Sequence, residues 1–233
     1  LEREENSLVV LAEARDPLYQ SCPVELTFTP MGDGPHIEME CELLVAERAE
    51  LRALYGPTVL AGDRAFGARK EFAIFPGLEF LEGDEESSSP RDLVYPLCDR
   101  RVPALHKIAA PVMAVQGEDA LIALLWDIEQ KWTEGEKYPA ARFLSPKFDS
   151  GLDYVHMTLF APSVGRYVPE NHYRAEPPYP LKQGQTLRLR SVLVLDHRAR
   201  YEPGTVVRGP HPGGLILQAF QYYYDVYGFP QPS

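Results

Sequence analysis

The sequence predicts an all-β protein, a large antiparallel β-sandwich with a short helix, and three observations support this fold class. Stretches in which apolar and polar residues alternate recur along the chain, as is typical of strands with one buried face. Glycine-containing turns separate several of these stretches. The 22 prolines fall mostly at predicted strand ends, where a missing amide N–H costs least. A chain of 233 residues suits one such domain, so we expect residues 1–233 to form a single β-sandwich.

The first predicted element is a hairpin. Residues 24–30 (VELTFTP) alternate, a Gly-Asp-Gly turn follows at 32–34, and residues 36–44 (HIEMECELL) alternate again. Because successive side chains of a strand point to opposite faces, one set of the second strand has to be inside. The residues expected inside are Ile37, Met39 and Cys41, and those expected to face water are Glu38, Glu40 and Glu42.

One stretch changes its period. In residues 43–56 (LLVAERAELRALYG), Leu44, Leu51 and Leu54 fall on one helical face among good helix formers, and Gly56 can end a helix. This stretch is the predicted helix.

Further strands are predicted along the rest of the chain. Residues 110–115 (APVMAV) and 119–127 (DALIALLWD) flank a QGE turn and indicate a second hairpin, and residues 154–164 (YVHMTLFAPSV) alternate. Residues 186–197 (TLRLRSVLVLDH) begin with alternation and become continuously apolar, which is typical of a strand covered on both faces. Residues 213–230 (GGLILQAFQYYYDVYGFP) are interpreted as a final long strand.

Charge and composition disfavour two classes of partner. The formal net charge is −11, whereas general nucleic-acid binders usually present a basic face, so no nucleic acid is expected. No apolar run is long enough to span a bilayer, so no membrane is expected either. The three cysteines, Cys22, Cys41 and Cys98, have no disulfide-framework or metal-type spacing. They are expected to be buried free thiols, and a single disulfide bridge is the alternative.

The most acidic stretch, residues 75–92 (FPGLEFLEGDEESSSPRD), is the first candidate site. Glu79 should rise from a sheet face, with Glu82 and Glu85 on or near the following turn. Carboxylates beside hydroxyls can bind sugar hydroxyls or a hard cation. No cofactor motif is present, and calcium is the one metal that these oxygen ligands suggest. The alternative is a solvated acidic loop neutralised in a structural network by Arg91, Arg100 and Arg101.

Aromatic and loop residues supply further candidates. Trp126 ends a predicted strand and is either core or a flat surface for a sugar ring, whereas Trp132 follows the polar run DIEQK and is expected to be exposed. His156 lies on the polar face of a predicted strand. Glu170 and Asn171 belong to a long loop, and such loops are uncommon unless functional or mobile. The predicted site places Glu79, Glu82 and Glu85 near Trp132 and the Glu170–Asn171 loop, on the rim of a concave sheet.

Several segments, in their order along the chain, resemble a known family. They include YGPTVLAGDRAFG (55–67), FPGLEFLEGDEESSS (75–89), LLWDIEQKW (124–132) and PENHYRAEPPYPLKQGQTLRLR (169–190). Over about residues 50–228 the chain resembles the galactose-mutarotase-like β-supersandwich domain of a larger bacterial polysaccharide-processing, glycoside hydrolase-like protein. The resemblance implies a many-stranded sandwich with a carbohydrate-facing concave sheet and a neighbouring α/α-toroid domain. It also implies that the chain is excised from a longer protein, extracellular or periplasmic, although no targeting signal is visible.

Three functions follow as hypotheses. The first is a carbohydrate-binding or accessory β-sandwich domain that binds a carbohydrate or polysaccharide. The second is a glycoside hydrolase or sugar epimerase that uses the carboxylates around Glu79–Glu85. The catalytic His and Glu of aldose epimerases have no recognisable counterpart here, whether at His106, His156 or His172. The third is a structural domain that supports a neighbouring catalytic domain.

Overall fold

The computed structural model describes eleven segments of the chain. They are residues 2–4, 6–15, 21–62, 69–87, 103, 105–117, 120–135, 138–145, 154–162, 178–197 and 212–228. Within them the chain forms fourteen β-strands, one α-helix and a 3-10 turn at Leu105–Lys107. The strands are β1 Glu2–Glu4, β2 Ser7–Arg15, β3 Ser21–Pro30, β4 His36–Leu44, β5 Ala49–Leu51, β6 Leu54–Ala61, β7 Lys70–Phe75, β8 Glu79–Glu82, β9 Val112–Gly117, β10 Ala120–Leu125, β11 Ala140–Leu144, β12 Val155–Ala161, β13 Tyr179–Leu181 and β14 Thr186–His197. The helix, α1, is Pro212–Tyr227.

The strands form two packed layers. Nine of them make one sheet in the order β1-β2-β3-β4-β14-β10-β9-β7-β8, three make a second sheet in the order β11-β12-β6, and β13 pairs with β5. All recorded pairings are antiparallel. The predicted all-β antiparallel sandwich is therefore confirmed, and within the described segments the second layer is the smaller one.

The main core lies between the nine-stranded and the three-stranded sheets. We call the side of the nine-stranded sheet that faces this core its inner face, and the opposite side its outer face. Buried side chains of both sheets interdigitate here as expected for aligned sheets. They include Met39, Phe75, Met113, Leu124 and Trp126 from the larger sheet and its adjoining loop, and Val59, Phe143, Met157 and Leu159 from the smaller sheet.

The first predicted hairpin forms as expected. Strand β3 pairs with β4, and the turn between them contains Gly32 at φ 63°. Met39 and Cys41 are buried, whereas Ile37 is only half-buried because it lies near the beginning of its strand. On the outer face Glu38 is exposed, and the other two glutamates are half-buried beside arginines of β14. Glu40 pairs with Arg188 and Arg190, and Glu42 pairs with Arg188.

Strand β14 is covered on both faces in its second half, as its apolar run predicts. Val192 and Val194 belong to a cluster on the outer face, beneath α1, whereas Leu193 and Leu195 pack against the main core. The first half of the strand alternates between buried leucines and exposed arginines. Helix α1 therefore covers only part of the outer face and leaves the Glu–Arg ladder beside it in contact with solvent.

The predicted final strand is wrong, because residues 212–227 form α1. The helix begins at Pro212, whose missing N–H is tolerated in a first turn, and Gly228 follows it at φ 77° with its N–H bonded to the Tyr224 carbonyl at 2.9 Å. Ala219 and Tyr222 are three residues apart and both bury against the outer face of the sheet. The Tyr222 hydroxyl also donates to Asp196 of β14, which anchors the helix.

The predicted helix at 43–56 is also wrong, because strand pairing overrides its helix propensity. Strand β4 continues to Leu44 by pairing with β14, β5 pairs with β13, and β6 begins at Leu54. Gly56 does not end a helix. It lies in β6 where a Cβ atom would overlap the side chain of Leu189, so the missing side chain permits close packing.

The cysteine prediction is confirmed in part. Cys41 is a buried free thiol, Cys22 is a half-buried free thiol, and Cys98 lies outside the described residues. Burial, with a smaller contribution from the charge of Glu40, raises the pKa of Cys41 to about 11 from an ordinary value of 9.0.

This shift predicts a loss of stability at alkaline pH. Above pH 9 the unfolded chain ionises this thiol while the folded chain keeps it neutral, so the stabilisation is complete below pH 9 and is lost as the pH rises through about 11. The loss should be on the order of 2–3 kcal/mol. Urea denaturation between pH 8 and 11 should show a steeper decline for the wild type than for Cys41→Val. Parallel declines would contradict the assignment.

Candidate functional site

The acidic stretch lies at one edge of the nine-stranded sheet. Glu79 and Glu82 are the first and last residues of β8, the edge strand that pairs with β7. Glu79 shares the inward-facing side with buried Leu81 and is half-buried, whereas Glu82 is exposed. The prediction that Glu79 rises from a sheet face therefore holds, but this face is turned toward the core.

Several polar and charged groups of the turn after β8 are paired within the turn or with residues at or next to the start of β7. The Glu85 carboxylate accepts the Glu82 backbone N–H at 2.9 Å, and the Lys70 ammonium donates to the Glu85 carbonyl at 2.7 Å. Asp84 forms an ion pair with Arg69. These contacts favour the structural reading of the turn. The partners proposed from sequence, Arg91, Arg100 and Arg101, lie outside the described residues.

A small polar cavity adjoins this turn. It has a volume of about 120 Å³, and its lining includes Arg69, Lys70, Asp84, Glu86 and Ser145. This volume is well below the 300–1,000 Å³ usual for small-molecule sites. The acidic stretch therefore offers little enclosed space for a sugar ring in the part that the structure describes.

Both tryptophans are core residues. Trp126 and Trp132 have 0% relative exposure, so the predicted exposure of Trp132 is wrong. Trp132 packs edge-on against Tyr179 at a ring-centroid distance of 5.0 Å, and its carbonyl accepts the backbone N–H of Arg188. The polar run before Trp132 forms turns on the surface, and the chain then enters the protein, so the polarity of its sequence neighbours did not extend to this side chain.

The structure does not bring the predicted site together. Trp132 contacts β14, and β8 lies four positions away from β14 in the sheet, which corresponds to about 19 Å at roughly 4.8 Å per strand. His156 is buried on β12, whose two faces are both covered, so it does not face solvent. Glu170 and Asn171 lie outside the described residues, and their predicted role is untested.

A larger groove opens on the inner face, at the end of the sheet opposite to the predicted site. Here β2 and β4 end and β3 and β14 begin, and the small β5–β13 sheet forms the facing wall. We call this feature the groove and define it by its lining residues. They are Ala14, Arg15, Ser21, Cys22, Leu43, Ala46, Glu47, Arg48, Ala49, Glu50, Leu51, Arg52, Ala53, Leu54, Pro178, Pro180, Leu181 and Leu187.

The groove has an apolar floor and a charged rim. Its volume of about 950 Å³ falls within the range of small-molecule sites. Leu43, Leu181 and Leu187 are buried and form the floor, which belongs to the same apolar cluster as Trp132. The five charged lining residues are exposed at the rim. They are Arg15, Glu47, Arg48, Glu50 and Arg52.

The rim groups differ in their partners. Arg15 forms an ion pair with Glu13 at 3.3 Å, and a hydrogen bond from Ser21 together with Arg15 lowers the pKa of Glu13. Within the described segments, Glu47, Arg48 and Glu50 take part in no recorded hydrogen bond or ion pair. Their charged ends are thus available to a ligand in the groove.

Sequence reasoning missed this groove because it interpreted residues 43–56 as a helix. In a helix, the charges of AERAELR (46–52) would spread around the solvent-facing sides. As a loop followed by β5, the same residues line one wall. The available signal was the dense run of charges between two predicted strands, a pattern that also fits a loop at the edge of a sheet.

Neither a metal centre nor a membrane segment is found in the described parts of the chain. No group of three or more His, Cys, Asp or Glu side chains is arranged there to hold a metal ion. Calcium binding by the acidic stretch stays a prediction, since Asp92 lies beyond the described range. The one described α-helix is too short to cross a bilayer.

Comparison with solved structures finds 11 similar chains, and two of them are described below. No family model and no curated protein matches the sequence. A candidate aldose 1-epimerase from Escherichia coli K12 is 16% identical, with a TM-score of 0.37, over 84% of this chain and 67% of that chain. A galactose mutarotase related enzyme from Lactobacillus acidophilus is 11% identical, with a TM-score of 0.43, over 84% and 69%. At these identities, and with TM-scores below 0.5, neither similarity identifies a fold family or a substrate.

Proposed function

We propose that this chain is a carbohydrate-binding or accessory β-sandwich domain of a larger glycan-active protein, and that the groove is its binding site. The observation that supports the proposal is the composition of the groove, which combines a floor of buried leucines with exposed charged groups at its rim. Ligand sites of this kind hold a molecule by apolar contact and orient it with a few polar groups.

A saccharide has surfaces that match both parts of the groove. The C–H faces of its rings can lie on the half-buried lining residues Ala49, Leu51 and Leu54. Its hydroxyls can donate to the carboxylates of Glu47 and Glu50 and accept from Arg48, and such charge-assisted hydrogen bonds are stronger than neutral ones. The groove volume of about 950 Å³ is large enough to hold more than one sugar residue.

Cys22 provides a direct test of where a glycan binds. Its thiol is half-buried in the groove lining, whereas Cys41 is buried in the sheet. Alkylation of the native protein, followed by peptide mass spectrometry, should show Cys22 labelled several-fold more slowly when a bound glycan is present. Labelling of Cys41 should be slow with and without the glycan.

A matched pair of variants tests the contribution of the rim. Glu50→Gln should weaken glycan binding by about 5- to 30-fold, the effect of losing about 1–2 kcal/mol of charge-assisted hydrogen bonding. Glu25→Gln, on the exposed outer side of β3, should leave the affinity unchanged. Isothermal titration calorimetry with the glycan that protects Cys22 gives both values.

Three outcomes bear on the proposal. Protection of Cys22 with the predicted variant effects would support it. Conversion of an incubated sugar to product would instead favour the hydrolase or epimerase hypothesis. A broad glycan array without any binding by a folded protein would contradict the proposal and leave the structural-support hypothesis.

A further inference from the structure

The charges of the groove differ from those of the rest of the chain. Over the whole sequence, 34 Asp and Glu outnumber 23 Lys and Arg. The described groove lining contains three arginines and two glutamates. When Glu13, the ion-pair partner of Arg15, is counted as well, there are three positive and three negative side chains. A glycan in the groove therefore meets a surface without the excess negative charge that the chain carries elsewhere.

The cations of the groove are all of one kind. The three basic lining residues are arginines, contributed by β2, by the loop before β5 and by the residue after β5, and no lysine lines the described groove. A guanidinium presents N–H donors in a planar fork that matches a carboxylate with two parallel hydrogen bonds. Arg48 is exposed and has no recorded partner in the described chain, so its fork can engage a ligand without breaking a bond.

The groove also lacks the feature on which a neutral sugar would most readily stack. None of the described lining residues is aromatic, and the nearby Trp132 is completely buried. An apolar floor of leucines without aromatic rings gives contact area but little orientation, so specificity has to come from the rim. We infer that the groove selects saccharides that carry carboxylates, that is, oligomers of hexuronate residues, with Arg48 as the principal carboxylate contact.

This inference rests on the proposed function, and it adds roles for the rim groups. The Arg48 fork binds one uronate carboxylate. Glu47 and Glu50 lie on either side of Arg48 in sequence. Their carboxylates accept hydrogen bonds from hydroxyls of the same or a neighbouring sugar, and they repel a ligand carboxylate placed next to them. Repulsion between like charges in an unwanted binding mode is a common source of specificity.

The test compares acidic oligosaccharides with their neutral methyl esters. Oligomers of galacturonate, glucuronate and mannuronate, each as the free acid and as the methyl ester, are titrated into the protein at 50 and 500 mM salt, and Cys22 protection locates the binding. At least one acid form should bind 10-fold or more tightly than its ester at low salt. The advantage should shrink at high salt, because exposed charges are screened.

Variants of two arginines assign the effect. Arg48→Gln should remove most of the preference for the acid, and Arg48→Lys should restore part of it, since lysine keeps the charge but loses the fork. Arg190→Gln, on the outer face, is the matched control and should leave the preference unchanged. A preference that persists in Arg48→Gln would overturn the assignment of that residue.

The inference and the proposed function can fail separately. Equal binding of acids and esters, or protection of Cys22 by neutral glycans alone, would overturn the selectivity for carboxylates while the proposed function stands. The absence of Cys22 protection by every glycan, acidic or neutral, would overturn both.

Discussion

Replacement of Met39 by aspartate is expected to lower the free energy of unfolding by at least about 4 kcal/mol, because it combines the loss of a large core side chain with the burial of a charge. Met39 is 5% exposed and packs between the two sheets in the main core. Its described neighbours in this core are apolar, so a carboxylate would find no cation among them. Urea denaturation followed by far-UV circular dichroism at pH 7 measures the effect.

The adjacent residue provides the control. Glu40→Lys replaces a half-buried carboxylate on the outer face with an ammonium group. That carboxylate pairs with Arg188 and Arg190. Exposed ion pairs contribute about 0–1 kcal/mol each, so this variant should lose about 1–2 kcal/mol, including the repulsion among three cations. Similar losses for the two variants would show that the register of β4 is not the one described.

Truncation of Trp132 to alanine is expected to cost about 3–5 kcal/mol of stability, the range for large aromatic side chains in protein cores. Trp132 is completely buried and packs edge-on against Tyr179, in the cluster that includes Leu187 and Leu189. An exposed Trp132, as expected from sequence, could be replaced with little change in the melting temperature. The burial predicts a large fall in the melting temperature instead.

Two further variants separate core packing from a general effect of losing an apolar side chain. Trp132→Phe keeps an aromatic ring in the same cluster and should lose clearly less stability than Trp132→Ala. Leu11→Ala removes an apolar side chain that is 59% exposed, and its effect should stay within about 0.5 kcal/mol. A melting temperature for Trp132→Ala close to that of the wild type would contradict the burial of this residue.

The strands could be predicted from sequence wherever the chemistry of the two faces differs. In residues 36–44 and 186–197 the alternation of residue types specifies the strand register, because a shift by one residue would bury glutamates or arginines and expose leucines. Sequence alone also identified the two hairpins at 24–44 and 110–127, whose turns lie between clear strands. These elements establish the all-β antiparallel class.

The candidate site could not be predicted in the same way, because its residues come together only through pairings that are distant in sequence. The groove joins the end of β2, the loop before β5 and the strand β13. Residues 21–22 and 178–181 contain no signal that they line the same groove. The sequence also supplied the carbohydrate hypothesis, with candidate residues at the acidic stretch, on the other side of β14 from the groove.

In two segments the observed secondary structure is the opposite of the one that local propensity favours. Residues 43–56 contain good helix formers, yet pairing with β13 and β14 makes them strands and a loop. Residues 212–227 are rich in tyrosine, which favours strands, yet they form a helix, since burying Ala219 and Tyr222 covers an apolar outer face that would otherwise meet water. The sequence by itself determined the strands with two chemically distinct faces. Only the tertiary structure decided the helix, the burial of Trp132 and the groove, because each depends on which surfaces become available for packing after the sheets form.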